Sequence, residues 1–390
     1  MSESGPLKGI QVIELAQGVA GPMAACRLAD LGATVTKIEF DEGDWTRNCA
    51  PFLKDGMSNV FFSLNRGKKS VWLKSSNSNA HKTLKDLILQ ADIFVTDMTT
   101  QQCRDKGIDR VDSKVCAWHP QLVVAQLSAY GKHGPLSNRA GSELTSQAMA
   151  GYTRYVGQGS EASIRLGADV AGCSTAIFTV QAILAALLER NKSHQGQRID
   201  LSLLNSLLSM KTVHLAAQSD PDTFEGPRVG GAYDPPERGW ATKDKPITFA
   251  FGGAVGAEGR AGWTDFVKDL NMSHMLDDPR YDKNGRLTTG LGPLARTLKS
   301  EYEKGFKQHP SDHVVVKVRE HGGFASAYLN HSELMKEPQV KAMDVMQKVK
   351  AGSAMVDALN FPAKFSNMSV QIKGDAPQLV EQVTHTNKTI

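Results

Sequence analysis

Along the first 130 residues, short unbroken apolar runs alternate with segments of helical period. "GIQVIEL" (9–15), "TVTKIE" (34–39), "KSVWL" (69–73), "DIFVTD" (92–97) and "QLVVAQLSAYG" (121–131) have the character of strands. Their near-continuous apolar content is that of strands covered on both faces. Between the first two, "GPMAACRLADLGA" (21–33) has helical period, with Pro22 in the first turn and Gly32 at the end. "NAHKTLKDLILQA" (79–91) predicts a second helix. Repeated strand–helix–strand units of this kind predict an α/β fold with a parallel, doubly wound sheet.

Further along, the spacing predicts a short helix over 141–152 and a long apolar one over 172–190. "QGQRIDLSLLNSLLSM" (195–210) is a glycine turn, a strand, then a helix. Around 218–239 the texture changes to Pro, Gly and charge, which marks a loop or a domain boundary. The expected organisation is an N-terminal part of a large α/β domain over 1–217, a linker and small α+β domain over 218–335, and a C-terminal segment, 336–390, returning to the large domain. The most apolar run, 177–188, is interrupted by Thr179 and Gln181 and is shorter than the roughly 20 residues of a membrane span.

Composition narrows the function. With 390 residues, 41% hydrophobic and 22% charged, the chain has the make-up of a soluble globular protein with a large core. A net charge of +4, with no basic block interleaved with aromatics, argues against nucleic acid as a partner. Five dispersed cysteines without a C-x-x-C pair fit free thiols in a reducing compartment. The opening "MSESGPLKGIQVIELAQG" lacks the basic head and long apolar stretch of a signal peptide, so a cytoplasmic protein is expected.

Several motifs fail. "LAQGVAGPM" offers Gly18 and Gly21 but not the G-x-G-x-x-G of a dinucleotide site. "NRGKKS" (65–70) resembles the end of a phosphate loop but lacks the upstream glycine and carries lysine at the Ser/Thr position; it reads as a turn with exposed charge. No G-x-S-x-G elbow occurs. His309 and His313 are spaced i, i+4, but Pro310 breaks the helix that zinc ligation would need, and no metal site is expected. "FGGAVGAEG" (251–259) reads as a surface loop.

One carboxylate stands apart. Asp169, in "RLGADVAGCSTA" (165–176), lies among small residues directly before the long helix. Two readings remain open. It could be an N-cap whose carboxylate accepts free helix amides. It could equally be a nucleophile, favoured as an anion by the helix N-terminus, with small neighbours that leave space for a ligand.

Four stretches resemble the class III CoA-transferase family, of the formyl-CoA and carnitine CoA-transferase (CaiB/BaiF) type. They are "GPLKGIQVIELAQGVAGPMAACRLADLGATVTKIE" (5–39), "GDWTR" with "FFSLNRGKKSV" (43–71), "HPQLVVAQLSAYGKHGPLSNRAGSELTSQAMAG" (119–151), and "LGADVAG" through "AILAALLERNKSHQGQRIDLSLL" (166–204). The resemblance implies a large Rossmann-like domain with a parallel sheet plus a smaller α+β domain, in an interlocked homodimer. It implies CoA transfer from an acyl-CoA donor to a small carboxylic acid acceptor, through aspartyl anhydride and aspartyl-CoA thioester intermediates. No tightly bound cofactor is implied, and coenzyme A enters as substrate. Neither nucleic acid nor membrane is implied as a partner.

By the same resemblance Asp169 is the catalytic aspartate. "RVGGAYD" (228–234) is the substrate loop, with Gly230 and Gly231 as its flexible positions, a simple turn being the alternative. Glu143 stands at or beside an acidic position near the nucleophile, a surface helix acid being the alternative. The CoA site falls on Val19, Leu73, Asp97 and Met98, with Arg104 as a phosphate partner. The chain departs from the family pattern at "DMTTQQ" (97–102), at Phe40 where arginine is usual, and at Asp105–Lys106 before "GID". Two alternatives share the fold. An α-methylacyl-CoA racemase would carry His before Asp in "GHD", where this chain has Ser142–Glu143, and His133 is not at that position. A non-catalytic partner subunit of a heteromeric transferase would not need Asp169.

Overall fold

A computed structural model describes residues 5–99, 101–102, 119–153, 162–212, 215, 239–251, 258–279 and 293–379. The chain divides into two compact units, one of Met1–Val156, Ser163–Lys211 and Lys341–Ile390, the other of Gly157–Ala162 and Thr212–Val340.

Six strands organise the first unit: β1 (Gln11–Leu15), β2 (Thr34–Phe40), β3 (Lys69–Leu73), β4 (Ile93–Thr96), β5 (Val123–Ser128) and β6 (Arg198–Ser202). They pair in parallel in the order β3-β2-β1-β4-β5-β6. Both faces are covered, which explains the unbroken apolar runs. Val12, Val35, Ile93 and Val123 pack with Leu28 of α1 (Ala20–Asp30) and with Ile183 and Leu187 of a long helix on one side. Ile13, Ile38, Phe94 and Val124 pack with Leu84 and Ile88 of α3 (Ala80–Leu89) on the other. Between α1 and α3 lies α2 (Asn59–Asn65), which the hydrophobic pattern did not single out. Ser58 caps it through the Phe61 amide, and its buried Phe61 and Phe62 pack under a hairpin of β9 (Met346–Ala351) and β10 (Ala354–Leu359).

Next come α4 (Glu143–Met149), the long helix α5 (Val170–Ser193) and α6 (Leu203–Met210). With 24 residues, α5 is long and apolar enough by composition to cross a membrane, contrary to the shorter run expected from 177–188. Half of its apolar window is buried, and its Ile183, Ala186 and Leu187 sit in the sheet core, the place of a core helix.

The second unit holds an antiparallel pair, β7 (Ile247–Ala250) and β8 (Phe324–Ala327), with helices α7 (Glu258–Asp269), α8 (Pro293–Phe306) and α9 (Ser311–Glu320). Its core is aromatic: Phe249 packs edge-on against Trp240, Tyr302 and Phe306, and Trp263 donates to the Tyr302 hydroxyl at 2.9 Å. Helix α9 begins at Ser311, after Pro310, so His309 lies outside it; the His309 and His313 rings stack at 4.7 Å.

The first unit also buries a set of charges. Lys37, in the middle of β2 and wholly inaccessible, donates to Glu14 at 2.8 Å and to the Ala16 carbonyl at 2.7 Å, and pairs with Asp44 at 3.0 Å. Lys68 donates to the other Glu14 oxygen at 2.7 Å, to the Pro22 carbonyl at 2.8 Å and to Asn65 at 2.8 Å. This corrects the exposed-turn reading of "NRGKKS". The Lys68 ammonium has three donors and three intramolecular acceptors, which leaves none for a phosphate. Burial pushes Lys37 towards neutrality, but Glu14 and Asp44 outweigh it and raise its pKa above the ordinary lysine range. For Lys68 burial prevails over Glu14, and its pKa falls.

Lys37→Met would strand Asp44 and half of Glu14 without a cation. Loss of one partner from a buried ion pair costs roughly 3–5 kcal/mol, and the urea unfolding midpoint should fall accordingly. An unchanged midpoint would show that the pairing contributes nothing to the fold.

Candidate active site

Asp169 is the N-cap residue of α5, with φ −83° and ψ 63°, outside the extended region usual for a cap. Its side chain accepts no hydrogen bond from the helix amides. The capping reading is therefore corrected: the position is that of a cap, but the carboxylate does not perform the role. Instead Asp169 pairs with Arg165, and both side chains are 46% exposed.

The amides that an N-cap would take go to Glu143, at the start of α4. One of its carboxylate oxygens accepts from the Ala171 amide at 2.8 Å, the other from the Gly172 amide at 2.8 Å. Glu143 is thus no surface acid. Gln147, one turn further along α4, donates to Glu143 at 2.8 Å and to the Ala168 carbonyl at 3.2 Å, and accepts from the Leu166 amide at 3.0 Å. The segment leading into Asp169 is thereby tied to α4. A Ser142–Thr145 capping box holds α4 itself. Cys173, one turn into α5, is half-buried; burial, then Asp169 and Glu143, push its thiol pKa up, so it stays protonated and a poor nucleophile beside Asp169.

Gly172 makes a second junction. A Cβ there would lie 2.9 Å from both Cβ and Cγ1 of Val19, so only glycine lets the loop after β1 close on the start of α5. That loop leads to the crevice where the strand order reverses between β1 and β4, the point at which doubly wound folds bind ligands. A cavity of about 660 Å³ lies there. Its lining includes Leu15 to Gln17 at the end of β1 and beyond it, Ile38 to Trp45 from the last residues of β2 into the following loop, and Asp97, Met98 and Gln102 after β4. Gly18, at φ +73°, is held by Asp44, and a side chain on it would strike Trp45. Asp44 also accepts from Thr46, and its own amide donates to Glu39, which Arg47 grips with two nitrogens at 2.7 and 2.6 Å. Burial raises the pKa values of Asp44 and Glu39, but Lys37 and Arg47 respectively prevail and both fall.

Of the residues expected to bind CoA, Asp97 and Met98 line the cavity. Val19 does not line it; it packs on Gly172. Leu73 is also outside the lining; it ends β3 inside the sheet core, 7% exposed. Phe40, at the position where arginine is usual, is a cavity residue. Arg104, Gly230 and Gly231 lie outside the described residues. Among the described residues, no three His, Cys, Asp or Glu side chains are grouped to hold a metal ion.

Sequence reasoning missed Arg165, Gln147 and the Glu14–Lys37–Lys68 cluster. The cluster left a trace: Glu14 and Lys37 are charges inside otherwise apolar strands. Gln147 left none, because its role depends on which segments meet; Arg165 stands four residues before Asp169, and the local backbone conformation decides that the two side chains pair.

Asp97 accepts the Gln17 amide at 2.9 Å, yet desolvation, aided by Glu14 and Asp44 against Lys37, raises its pKa from 3.8 to about 6. An acid whose pKa is raised by folding contributes stability below its unfolded pKa and loses it as pH rises through the folded value. Asp97→Asn should therefore stabilise the protein at pH 7.5 by roughly 1–2 kcal/mol in urea titrations, with no gain near pH 4. Equal effects at the two pH values would contradict a desolvated carboxyl.

The chain is 26% identical to human succinyl-CoA:glutarate CoA-transferase, over all of this chain and 87% of the relative. It is 28% identical to a formyl-CoA:oxalate CoA-transferase of Streptomyces avermitilis, over 70% of this chain and 69% of the relative. In fold it resembles a crystal structure of a CaiB/BaiF family protein from Brucella suis, at a TM-score of 0.83, 24% identity and 96% of each chain. The pattern of CoA-transferase family III matches residues 7–383, and the chain belongs to that family.

Proposed function

We propose that the protein transfers CoA from an acyl-CoA to a carboxylic acid, with Asp169 as the nucleophile. The observation that carries this reading is a half-exposed carboxylate at the start of a long helix, with the cap amides already taken by another residue. The positive helix end favours its anionic form, and no backbone hydrogen bond ties up its lone pairs.

In the first step an Asp169 oxygen attacks the donor thioester carbonyl. The C–S bond breaks, CoA leaves as thiolate, and an aspartyl–acyl anhydride forms. The retained thiolate then attacks the aspartyl carbonyl and expels the donor acid, giving an aspartyl-CoA thioester. The acceptor carboxylate attacks that thioester and releases the thiolate again. Attack of the thiolate on the acceptor's carbonyl yields the new acyl-CoA and restores Asp169. Energy stays in activated acyl bonds throughout, and exclusion of water protects the anhydride and the thioester. CoA acts as substrate, and the scheme draws on no bound cofactor.

The crevice after β1, β2 and β4 is the proposed CoA site, with Asp97 and Met98 in its wall. Arg165 engages Asp169 through one guanidinium nitrogen and is placed to exchange that partner for a substrate carboxylate as the anhydride forms. Relatives named for glutarate and oxalate support a short dicarboxylate as acceptor. The working unit is proposed to be a homodimer, since Ile177 and Leu188 of α5 and Leu144 and Met149 of α4 are at least half exposed.

Incubation with formyl-, acetyl- and succinyl-CoA without acceptor should add the mass of CoA less water to the intact chain, and Asp169→Asn should abolish the adduct. Absence of an adduct with every donor would remove Asp169 from the role. Light scattering should return twice the chain mass; a single-chain mass would refute the dimer.

A further inference from the structure

Glu143 lies outside the chemistry just described, yet it holds two amides of the helix that Asp169 begins. An N-cap aspartate ordinarily satisfies the N2 or N3 amide of its own helix. In α5 those amides belong to Ala171 and Gly172, and both are taken by Glu143, a carboxylate from a different helix 28 and 29 positions earlier in the chain. A carboxylate that accepts backbone amides is a weaker nucleophile, because those hydrogen bonds stabilise the charge that must be given up on attack. Were Glu143 absent, Asp169 would be the nearest acid able to turn inward and take the same amides.

We infer that Glu143 is a positioning residue whose function is to occupy the N-terminal amides of α5, leaving the Asp169 carboxylate to Arg165 and the substrate instead of the helix. Three further contacts argue that the arrangement is built for this. Gln147 donates to the Glu143 oxygen that serves Ala171 and also binds both faces of the 166–168 segment, so the cap and the approach to Asp169 move as one body. The absence of a side chain at Gly172 admits Val19 at contact distance while leaving the Glu143 oxygen 3.6 Å from where a Cβ would stand. The Asp169 backbone stands at ψ 63°, and rotation of ψ towards the extended geometry of a cap would bring its carboxylate onto the N2 and N3 amides that Glu143 now holds. The inference rests on Asp169 being the nucleophile.

The test uses the full chain, rapidly mixed with formyl-, acetyl- or succinyl-CoA, quenched, and weighed intact across pH 3 to 8. The parent, Asp169→Asn, Glu143→Ala and Glu143→Gln are compared, with CoA affinity measured separately by calorimetry. Glu143→Ala should form the aspartyl-CoA adduct at least tenfold more slowly than the parent, with CoA affinity within twofold. The acid limb of its pH–rate profile should move to lower pH, because Asp169 would then accept the freed amides. Glu143→Gln, nearly the same shape but with one acceptor oxygen, should fall between the two; it also carries the test should the alanine variant not fold. Equal rates and profiles in parent and variants would overturn the role of Glu143 while leaving Asp169 as nucleophile. A slower reaction with an unmoved profile and weakened CoA binding would also overturn it, because that is the signature of general loosening. A parent that forms no adduct with any donor would overturn the nucleophile and the positioning role together.

Discussion

Two lysines share one glutamate at the base of this fold, and both walls of the ligand crevice hang from that pairing. Lys37 reaches Glu14, Asp44 and the Ala16 carbonyl; Lys68 reaches Glu14, Asn65 and the Pro22 carbonyl. Ala16 opens the loop after β1, Pro22 lies in the first turn of α1 that ends it, and Asp44 belongs to the loop after β2. Buried charges tolerate little displacement, because each lost contact exposes an ion to a medium that cannot solvate it. The cluster therefore sets loop positions that turn residues alone would leave adjustable. Gly18 is fixed by Asp44, Val19 follows Gly18, and Val19 meets Gly172 three residues beyond Asp169.

At the start of α5, two acids divide what one residue usually does. Glu143 satisfies the helix amides, and Asp169 keeps the N-cap position without its hydrogen bonds. The chain belongs to CoA-transferase family III, and under the proposed mechanism this division keeps the carboxylate nucleophile reactive. The neighbouring Cys173, with its raised pKa, does not compete with it.

Much of the fold was legible before any coordinates. Strands covered on both faces carry continuous apolar runs, and β1 to β5 lie where those runs lie. Helices with a cap or a glycine stop, such as α1 with Gly32 at its end, were equally plain. Short α2 was not, because its seven residues hold too little period to stand out and its Phe61 and Phe62 are buried by a hairpin nearly 300 positions away. Lys68 was misread for a related reason. A lysine in a Gly-Lys-Lys turn is usually solvated, and nothing local announces that Glu14, Pro22 and Asn65 converge on it.

For the site, residue types and order sufficed to single out Asp169, because an acid among small residues before a long apolar helix is visible in one dimension. Asp97 and Met98 came from the family resemblance, which places a CoA site in the loop after β4. The sequence by itself thus determined the elements, their parallel arrangement, the family and the carboxylate of interest, since each rests on local period or on a contiguous motif. Only the tertiary structure decided that this carboxylate is not a cap, that Glu143 replaces it, and that Leu73 belongs to the core and not to the crevice. Those facts depend on which distant segments share space, and hydrogen bonds and buried ion pairs between segments leave no periodic trace along the chain.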